Sequence, residues 1–483
     1  MNNNVNKINA NKINANKINA NNASANNDAF VGVGAARHTA TLALTAAVAA
    51  AALTAGQAQA GGFQLNEQSV SGQGYGHAGR SSNVHDATIV FGNPAGMSFL
   101  DRAQISVGGT YLKAKTDISN ARASQSSPAF LQATGGATDT LPVAGSNEGD
   151  MVPGTFVPFA FYAHPVNERL AFGFGVYAPF GSKTDYEGGF QGRNQGDYTS
   201  VEVKSAQPTV SYRFNDQWSV GAGVSYNRVD GELRRQVPVV TPLGAAEVDS
   251  RVEGDDEAWG YNLGVMYQPV PETTLGLTYR SKVDYTLEGD FTASSPALDQ
   301  LGIGTVTDDA TLDLTTPETV NFSVTQQMSE KLKLMFGASW TRWSQFERIL
   351  VEGADRGEVT NETQNYSNAW AFATGGEYQL TPALALRAGL TLDSTPTSDE
   401  HRSVRIPSDD RRIFSLGAGW TPVDDLTVDV AYSYLTERRT EISQTKTDSF
   451  TVAGQQTPPV TSNYSADYKN EAHGFGAQLT YRF

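Results

Sequence analysis

Cysteine is absent from the 483 residues, which excludes disulfides and thiolate metal sites. Long apolar runs are nearly as scarce. One stretch of small and apolar residues lies at 39–55, and no later segment supplies the ~20 apolar residues a spanning helix needs. A helical membrane protein is thereby excluded. Basic residues are few, 35 Lys and Arg against 51 Asp and Glu, for a net charge of −16. Lys7, Lys12, Lys17 and Arg37 against Asp28 give the first sixty residues +3, so the remainder carries −19. Such a chain repels nucleic acid, whose phosphates demand a basic face. It also repels anionic lipid headgroups unless divalent cations bridge the two. Hydrophobic residues, at 39%, fall below the ~45–50% of an ordinary globular chain, while aromatics reach 10% and glycines number 47. Aromatic and β-branched residues recur throughout the later chain, which does not fit disorder.

The first sixty residues read as an address. Asn-Lys-Ile-Asn-Ala occurs three times in tandem from Asn6 to Ala20, a cationic tract with too little apolar surface to fold. Arg37 and His38 then precede a Thr/Ala/Leu/Val segment at 39–53, followed by Ala58-Gln59-Ala60. A positive flank, a short apolar stretch and small residues at −3 and −1 are the parts of a secretory signal. The mature chain is expected to begin at Gly61, after export across an inner membrane.

From residue 102 onward the chain alternates with period two. Leu170, Phe172, Phe174 and Val176 interleave with small residues, and Leu384, Leu386, Leu390 and Leu392 interleave with Ala385, Arg387, Gly389 and Thr391. Successive side chains of a strand point to opposite faces, so each segment has one apolar face and one small or polar face. Fourteen such segments start near residues 102, 155, 170, 199, 217, 257, 273, 316, 331, 367, 383, 411, 425 and 472. Connections after even-numbered segments are short: 164–169, 215–216, 268–272, 327–330, 379–382 and 421–424. Those after odd-numbered segments are long: 116–154, 181–198, 231–256, 286–315, 347–366, 394–410 and 436–471.

An even strand number with alternately tight and long connections predicts a 14-stranded antiparallel transmembrane β-barrel, all-β, with both chain ends on the periplasmic side. Closure is required because in hydrocarbon every strand-edge N–H and C=O must find a partner. A soluble β-sandwich would show no alternation in connection length. Aromatics such as Trp218, Trp259, Trp370, Trp420 and Tyr432 fall near strand ends, as rings at a membrane interface do. The terminal Phe483 matches the end that barrel-assembly machinery would recognise during biogenesis.

Residues 61–101 are rich in Gly, Ser and Asn and do not alternate. Gly74-Tyr75-Gly76-His77-Ala78-Gly79 fits G-x-G-x-x-G, but no strand precedes it and no βαβ unit follows, so a dinucleotide site fails. A compact hatch inside the lumen, with 102–483 forming the barrel around it, is the better reading. Gly62-Phe63-Gln64-Leu65-Asn66-Glu67, Ser71-Gly72 and Asn93-Pro94-Ala95 then make the start of the mature chain resemble the long-chain fatty acid transporter (FadL) family. Val176-Tyr177-Ala178-Pro179-Phe180-Gly181, Pro317-Glu318, Thr341-Arg342-Trp343-Ser344-Gln345-Phe346 and Arg405-Ile406-Pro407-Ser408-Asp409-Asp410-Arg411 continue the likeness in order. The chain departs at Ser408, where family members often carry an acidic residue.

The resemblance implies uptake of long-chain fatty acids across the bacterial outer membrane, with no cofactor and no catalysis. It implies that Phe63 helps cover the ligand, and that Asn93, Pro94, Ala95 and Pro179 act in gating, with release through a gap beside a kinked third strand. Hydrocarbon transport on the same scaffold is the alternative. A barrel enzyme ranks lower, because none of the six histidines sits with a nucleophile in a recognisable arrangement. His77 and His85 invite comparison with a metal pair, though packed hatch residues explain them as well.

Parity supplies headgroup candidates. If the apolar residues face lipid, Lys204, Arg280, Lys333, Arg387 and Arg411 point inward. The resemblance implies as partners a fatty acid or another hydrophobic small molecule, together with outer-membrane lipid and lipopolysaccharide; the acidic stretches at 253–257 and 308–309 are candidates for divalent cations beside the lipopolysaccharide, though solubility explains them better. No nucleic acid is among the partners.

Overall fold

The computed structural model describes residues 62–483 apart from 243, 453 and 454, so the predicted leader and its cut site lie outside the described residues. Fourteen antiparallel spans close into one cylinder. The first six are β1 (Gln104–Ser126), β2 (Thr155–Pro165), β3 (Leu170–Asp185), β4 (Tyr198–Arg213), β5 (Trp218–Thr241) and β6 (Gly244–Val270). Next come β7 (Thr273–Arg280, resumed as Val283–Ser294) and β8 (Val306–Thr316, resumed as Thr319–Gln327). The rest are β9 (Leu332–Thr341), β10 (Ala369–Thr381), β11 (Leu384–Asp393), β12 (Arg411–Val423), β13 (Leu426–Glu437) and β14 (Val460–Arg482). Pairing of β1 with β14, from Gln104↔Arg482 to Ser126↔Thr461, closes the ring and leaves no free edge there.

The apolar face is turned outward. Phe172, Phe174, Leu386, Phe414, Leu416 and Phe475 are all exposed, which in this architecture means exposed to lipid. Five of the six tryptophans stand on this outer wall or half-exposed along it, while Trp343 is fully buried inside.

Most of the long connections differ from the expected loops. β1 continues through Ser126, and β5 stays paired with β6 from Trp218↔Tyr267 up to Thr241↔Gly244. Residues 348–353 and 357–363 form another hairpin, and Thr440–Asp448 extends along β14. Above the lipid the outer face meets water, so the apolar contrast between faces fades while backbone pairing continues. The acidic residues at 253–257 lie within β6, and Asp308 accepts backbone N–H bonds from Asp355 and Arg356. These extensions enclose an apolar core of their own around Val237, Val248, Phe291, Leu298 and Val351.

Residues 62–101 fold inside the cylinder as a hatch with helices α1 (Val70–Gly74) and α2 (Ile89–Gly92) and a 3-10 turn (Pro94–Phe99). Wall glycines make the room. A methyl group at Gly276 on β7 would strike the Ser81 carbonyl, and one at Gly375 on β10 or Gly389 on β11 would strike Tyr75.

Candidate functional site: a lumenal chamber and a one-sided seam

The two edges of β3 differ. Toward β4 it pairs along its full length, from Leu170↔Tyr212 to Asp185↔Tyr198, with one register shift between Tyr177 and Phe180. Toward β2 it pairs only from Phe159↔Tyr177 down to Pro165↔Ala171. Residues 178–185 therefore have no strand partner on that side. The hatch supplies one. Leu65 N–H donates to the Pro179 carbonyl (2.9 Å), Gly181 N–H donates to the Phe63 carbonyl (2.8 Å), and Gln68 Nε2 donates to the Ala178 carbonyl (2.5 Å). Gln64 and Phe180 stand opposite each other as an antiparallel bridge. Pro179 brings no N–H to the ladder, and its carbonyl accepts from the Leu65 N–H of the hatch.

Phe63 enters an aromatic cage. Its ring lies 4.7 Å from Trp343, 5.6 Å from Phe346 and 5.9 Å from Phe180, all edge-to-face, a preferred geometry for quadrupolar rings. Above this floor opens a cavity of about 790 Å³, walled by Val201, Leu233, Val252, Leu287, Leu314 and Ile406 among others. On the other side of the Phe63–Trp343 contact lies a second cavity of about 900 Å³, lined by polar groups including Asn66, Glu67, Arg80, Asn321 and Asp393. Burial pushes the Glu67 carboxyl up, while backbone amides and Arg80 pull the other way. Two aromatic rings thus divide an apolar chamber from one of mixed polar and apolar lining.

The five cations read from parity disperse. Arg387 is sealed: Nε meets Glu377 (2.7 Å), Nη1 meets Asp429 (2.5 Å), and Nη2 donates to His85 Nε2 (2.9 Å). Burial, then Arg387 itself, holds His85 below its ordinary range, so a neutral ring accepts that bond. His85 also lies with Asp86 and Asp429 in a cluster that His77 does not join, and the Arg387 guanidinium already bonds two of its members. Lys333 bridges Glu377 and Asn83, both at 3.2 Å. Arg280 donates to Tyr177 (2.7 Å) and stacks on Phe91 of the hatch. Arg411 is buried against Glu437 at 2.7 Å.

Lys204 differs from its expected inward placement. It shares its face of β4 with exposed Val210 and Tyr212 and pairs with Glu202 at 3.2 Å. The physical reason is that Val201 and Val203 face an apolar chamber, so here the apolar face is the inner one.

The gating candidates occupy two places. Pro179 is at the seam, bonded to Leu65. Asn93, Pro94 and Ala95 sit near the short-turn end against β4 to β6. Asn93 Nδ2 donates to the Ser81 and Val265 carbonyls, and the Ala95 carbonyl accepts from Ser211 (3.0 Å) and Ser219 (2.8 Å). Trp343 and Arg405, both within motifs quoted above, were assigned no role from sequence, yet Trp343 forms the cage and Arg405 lines the chamber. Their signal was position within those motifs, since neither lies on an alternating strand.

A closed barrel, stoppered by its own leading residues and carrying a seam on one strand edge, defines an outer-membrane transporter of hydrophobic substrates. The chain belongs to the outer membrane protein transport protein family (OMPP1/FadL/TodX), whose profile matches residues 51–483. Outer membrane protein P1 of Haemophilus influenzae is 30% identical over 459 residues, covering 89% of this chain and 97% of that protein. The long-chain fatty acid transport protein of Escherichia coli is 26% identical over 467 residues, covering 91% and 98%. In fold, the crystal structure of a Pseudomonas aeruginosa FadL homologue superposes with a TM-score of 0.76 at 24% identity, covering 88% of this chain and all of that one. The Ralstonia pickettii toluene transporter TbuX has the same fold, with a TM-score of 0.59 at 17% identity, covering 85% and 99%. The long-connection end is accordingly the extracellular end of a protein of the bacterial outer membrane.

Proposed function

We propose that this protein takes up long-chain fatty acids, holding the chain in the apolar chamber and releasing it sideways beside β3. The observation that carries this reading is the chamber itself: about 790 Å³, apolar-walled, and floored by a phenylalanine that belongs to the hatch rather than to the barrel. Burying methylenes contributes ~0.8 kcal/mol each, so a sixteen-carbon tail gains on the order of 10 kcal/mol before ordering costs. Affinity then rises with tail length, and the headgroup mainly orients.

Such a ligand needs a moving part to leave. Ligand entry displaces Phe63, which withdraws the Leu65 and Gln68 bonds from β3 and leaves residues 178–185 unpartnered toward β2. The tail then passes into the membrane through that seam, between flanking lipids and lipopolysaccharide, without crossing water. The work is transport, with no covalent step. The E. coli relative's name supports fatty acids as the cargo.

Titration of the purified barrel with palmitate, decane and toluene tests the cargo. Palmitate should bind tightest, with affinity falling as the acid is shortened. Binding of decane or toluene with no binding of palmitate would overturn the fatty-acid reading in favour of hydrocarbon uptake.

A further inference from the structure

The unpaired edge of β3 starts at a defined residue. Tyr177 is the last position of β3 that pairs with β2, opposite Phe159, and the register toward β4 shifts just after it. Its ring is buried, and its hydroxyl meets a cation from β7. Arg280 ends the first half of β7, where the strand breaks before resuming at Val283. From there its guanidinium touches three elements at once. Nη1 donates to the Tyr177 hydroxyl of β3 (2.7 Å) and to Gln207 Oε1 of β4 (3.2 Å), and Nη2 donates to the Phe91 carbonyl of the hatch (3.3 Å). The same group lies 4.5 Å from the centre of the Phe91 ring.

Every one of those oxygens is uncharged. The other inward cations are matched by carboxylates: Arg387 by Glu377 and Asp429, Lys333 by Glu377, and Arg411 by Glu437. Arg280 is held by dipoles and rings alone among the described residues. Arg80 of the hatch feels it as a repelling charge, which Glu67 and Asp393 oppose. A half-buried cation without a counter-ion is costly where little water screens it. The Nε hydrogen and one Nη2 hydrogen take no part in the three bonds, and a carboxylate can accept both together.

Open space leads toward this point. A third cavity, of about 390 Å³, lies within the hatch and shares Asn66, His77 and Arg80 with the second one. Gln68 and Phe91 line it too. Gln68 is the side chain that bonds Ala178, the residue after Tyr177 on the unpaired edge, and its Oε1 is buried with no hydrogen-bond partner. Phe91 is the ring on which Arg280 stacks. Withdrawing Gln68 with the hatch tip therefore joins this cavity to the lip that Tyr177 and Arg280 form.

We propose that Arg280 is a transit site for the ligand's carboxylate at the lip of the seam nearer the short turns, holding the headgroup at hatch level while the tail passes into the membrane beside β3. This rests on the fatty-acid reading above and assigns a residue to its exit step. A bare carboxylate entering hydrocarbon is expensive. A cation at the lip keeps that group solvated by protein until the tail is seated among lipid chains. The acid then leaves tail first and headgroup last, whereas a neutral hydrophobe needs no such station.

Palmitate and hexadecanol share a tail and differ in charge, so their uptake by cells carrying the barrel, corrected for cells without it, separates headgroup from tail. Arg280→Gln should lower the palmitate-to-hexadecanol uptake ratio roughly tenfold, the scale of a charge-assisted hydrogen bond, while palmitate affinity of the purified protein stays within about twofold. Arg280→Lys should restore most of the ratio. Gln207→Glu sets a resident carboxylate beside the guanidinium and should also lower the ratio, which keeps the test usable if Arg280→Gln does not assemble. Tyr177→Phe removes a bond but no charge and should leave the ratio as it is. An unchanged ratio in Arg280→Gln or in Gln207→Glu, or an equal fall in Tyr177→Phe, would overturn the assignment. Uptake of hexadecanol but not palmitate by the wild type would instead refute the fatty-acid reading itself.

Discussion

Around α1, α2 and the Asn-Pro-Ala turn, the hatch is fixed to the barrel by charge and close packing. Arg387 joins Glu377 and Asp429 of the wall to His85 of the hatch, and Asp86 accepts from Gln478 at 2.8 Å and from Ser71 at 2.7 Å. From Phe63 to Gln68 the same segment is held by two backbone bonds, the Gln68 side chain, a Thr341 hydroxyl bond to the Gln64 side chain, and ring contacts. The base presents buried ions, which cannot separate cheaply in low dielectric. The tip presents apolar rings, which an apolar ligand can replace contact for contact. One segment therefore combines an ionic anchor with an apolar tip, and the tip pairs with the stretch of β3 that lacks a strand toward β2 among the described residues.

Arg387→Met should break the anchor most severely. It leaves Asp429 buried without a cation and Glu377 with Lys333 alone, costing roughly 3–5 kcal/mol in urea unfolding of the detergent-solubilised barrel. Phe63→Ala should free the tip and spare the base. Loss of a caged ring is worth about 3–5 kcal/mol locally, so amide exchange at Leu65 and Gly181 should accelerate by orders of magnitude while exchange at Gln73 stays slow. Equal acceleration at both ends would erase the distinction. Gln68→Ala should produce the smallest change. Removing its bond to the Ala178 carbonyl costs roughly 1 kcal/mol, raising exchange at Leu65 about fivefold.

Much of this arrangement is written in local sequence. Alternation at 384–392 is enough to make a strand, to place Leu386 and Leu392 outward and to turn Arg387 into the lumen. Pro179 signals a ladder defect because it has no N–H, though which edge of β3 is left open depends on strands far away in sequence. Parity misplaces Lys204 because apolar residues do not all face lipid: Val201 and Val203 face the apolar chamber inside. Arg405 has no periodicity to read. Its partners Glu362 and Lys446 lie 43 residues before and 41 residues after it, and only folding of the extracellular cover brings them together.

The displaceable tip can be tested by fixing it. Gln64 and Phe180 form a non-hydrogen-bonded antiparallel pair, flanked by the Leu65–Pro179 and Phe63–Gly181 bonds. Such pairs bring Cα atoms to about 4.5 Å, within reach of a disulfide. The native chain has no cysteine to interfere. Cells carrying Gln64→Cys with Phe180→Cys should lose palmitate uptake when oxidised and recover it on reduction, while the oxidised protein still binds palmitate. Undiminished uptake by the fully oxidised barrel would contradict release through the β3 seam.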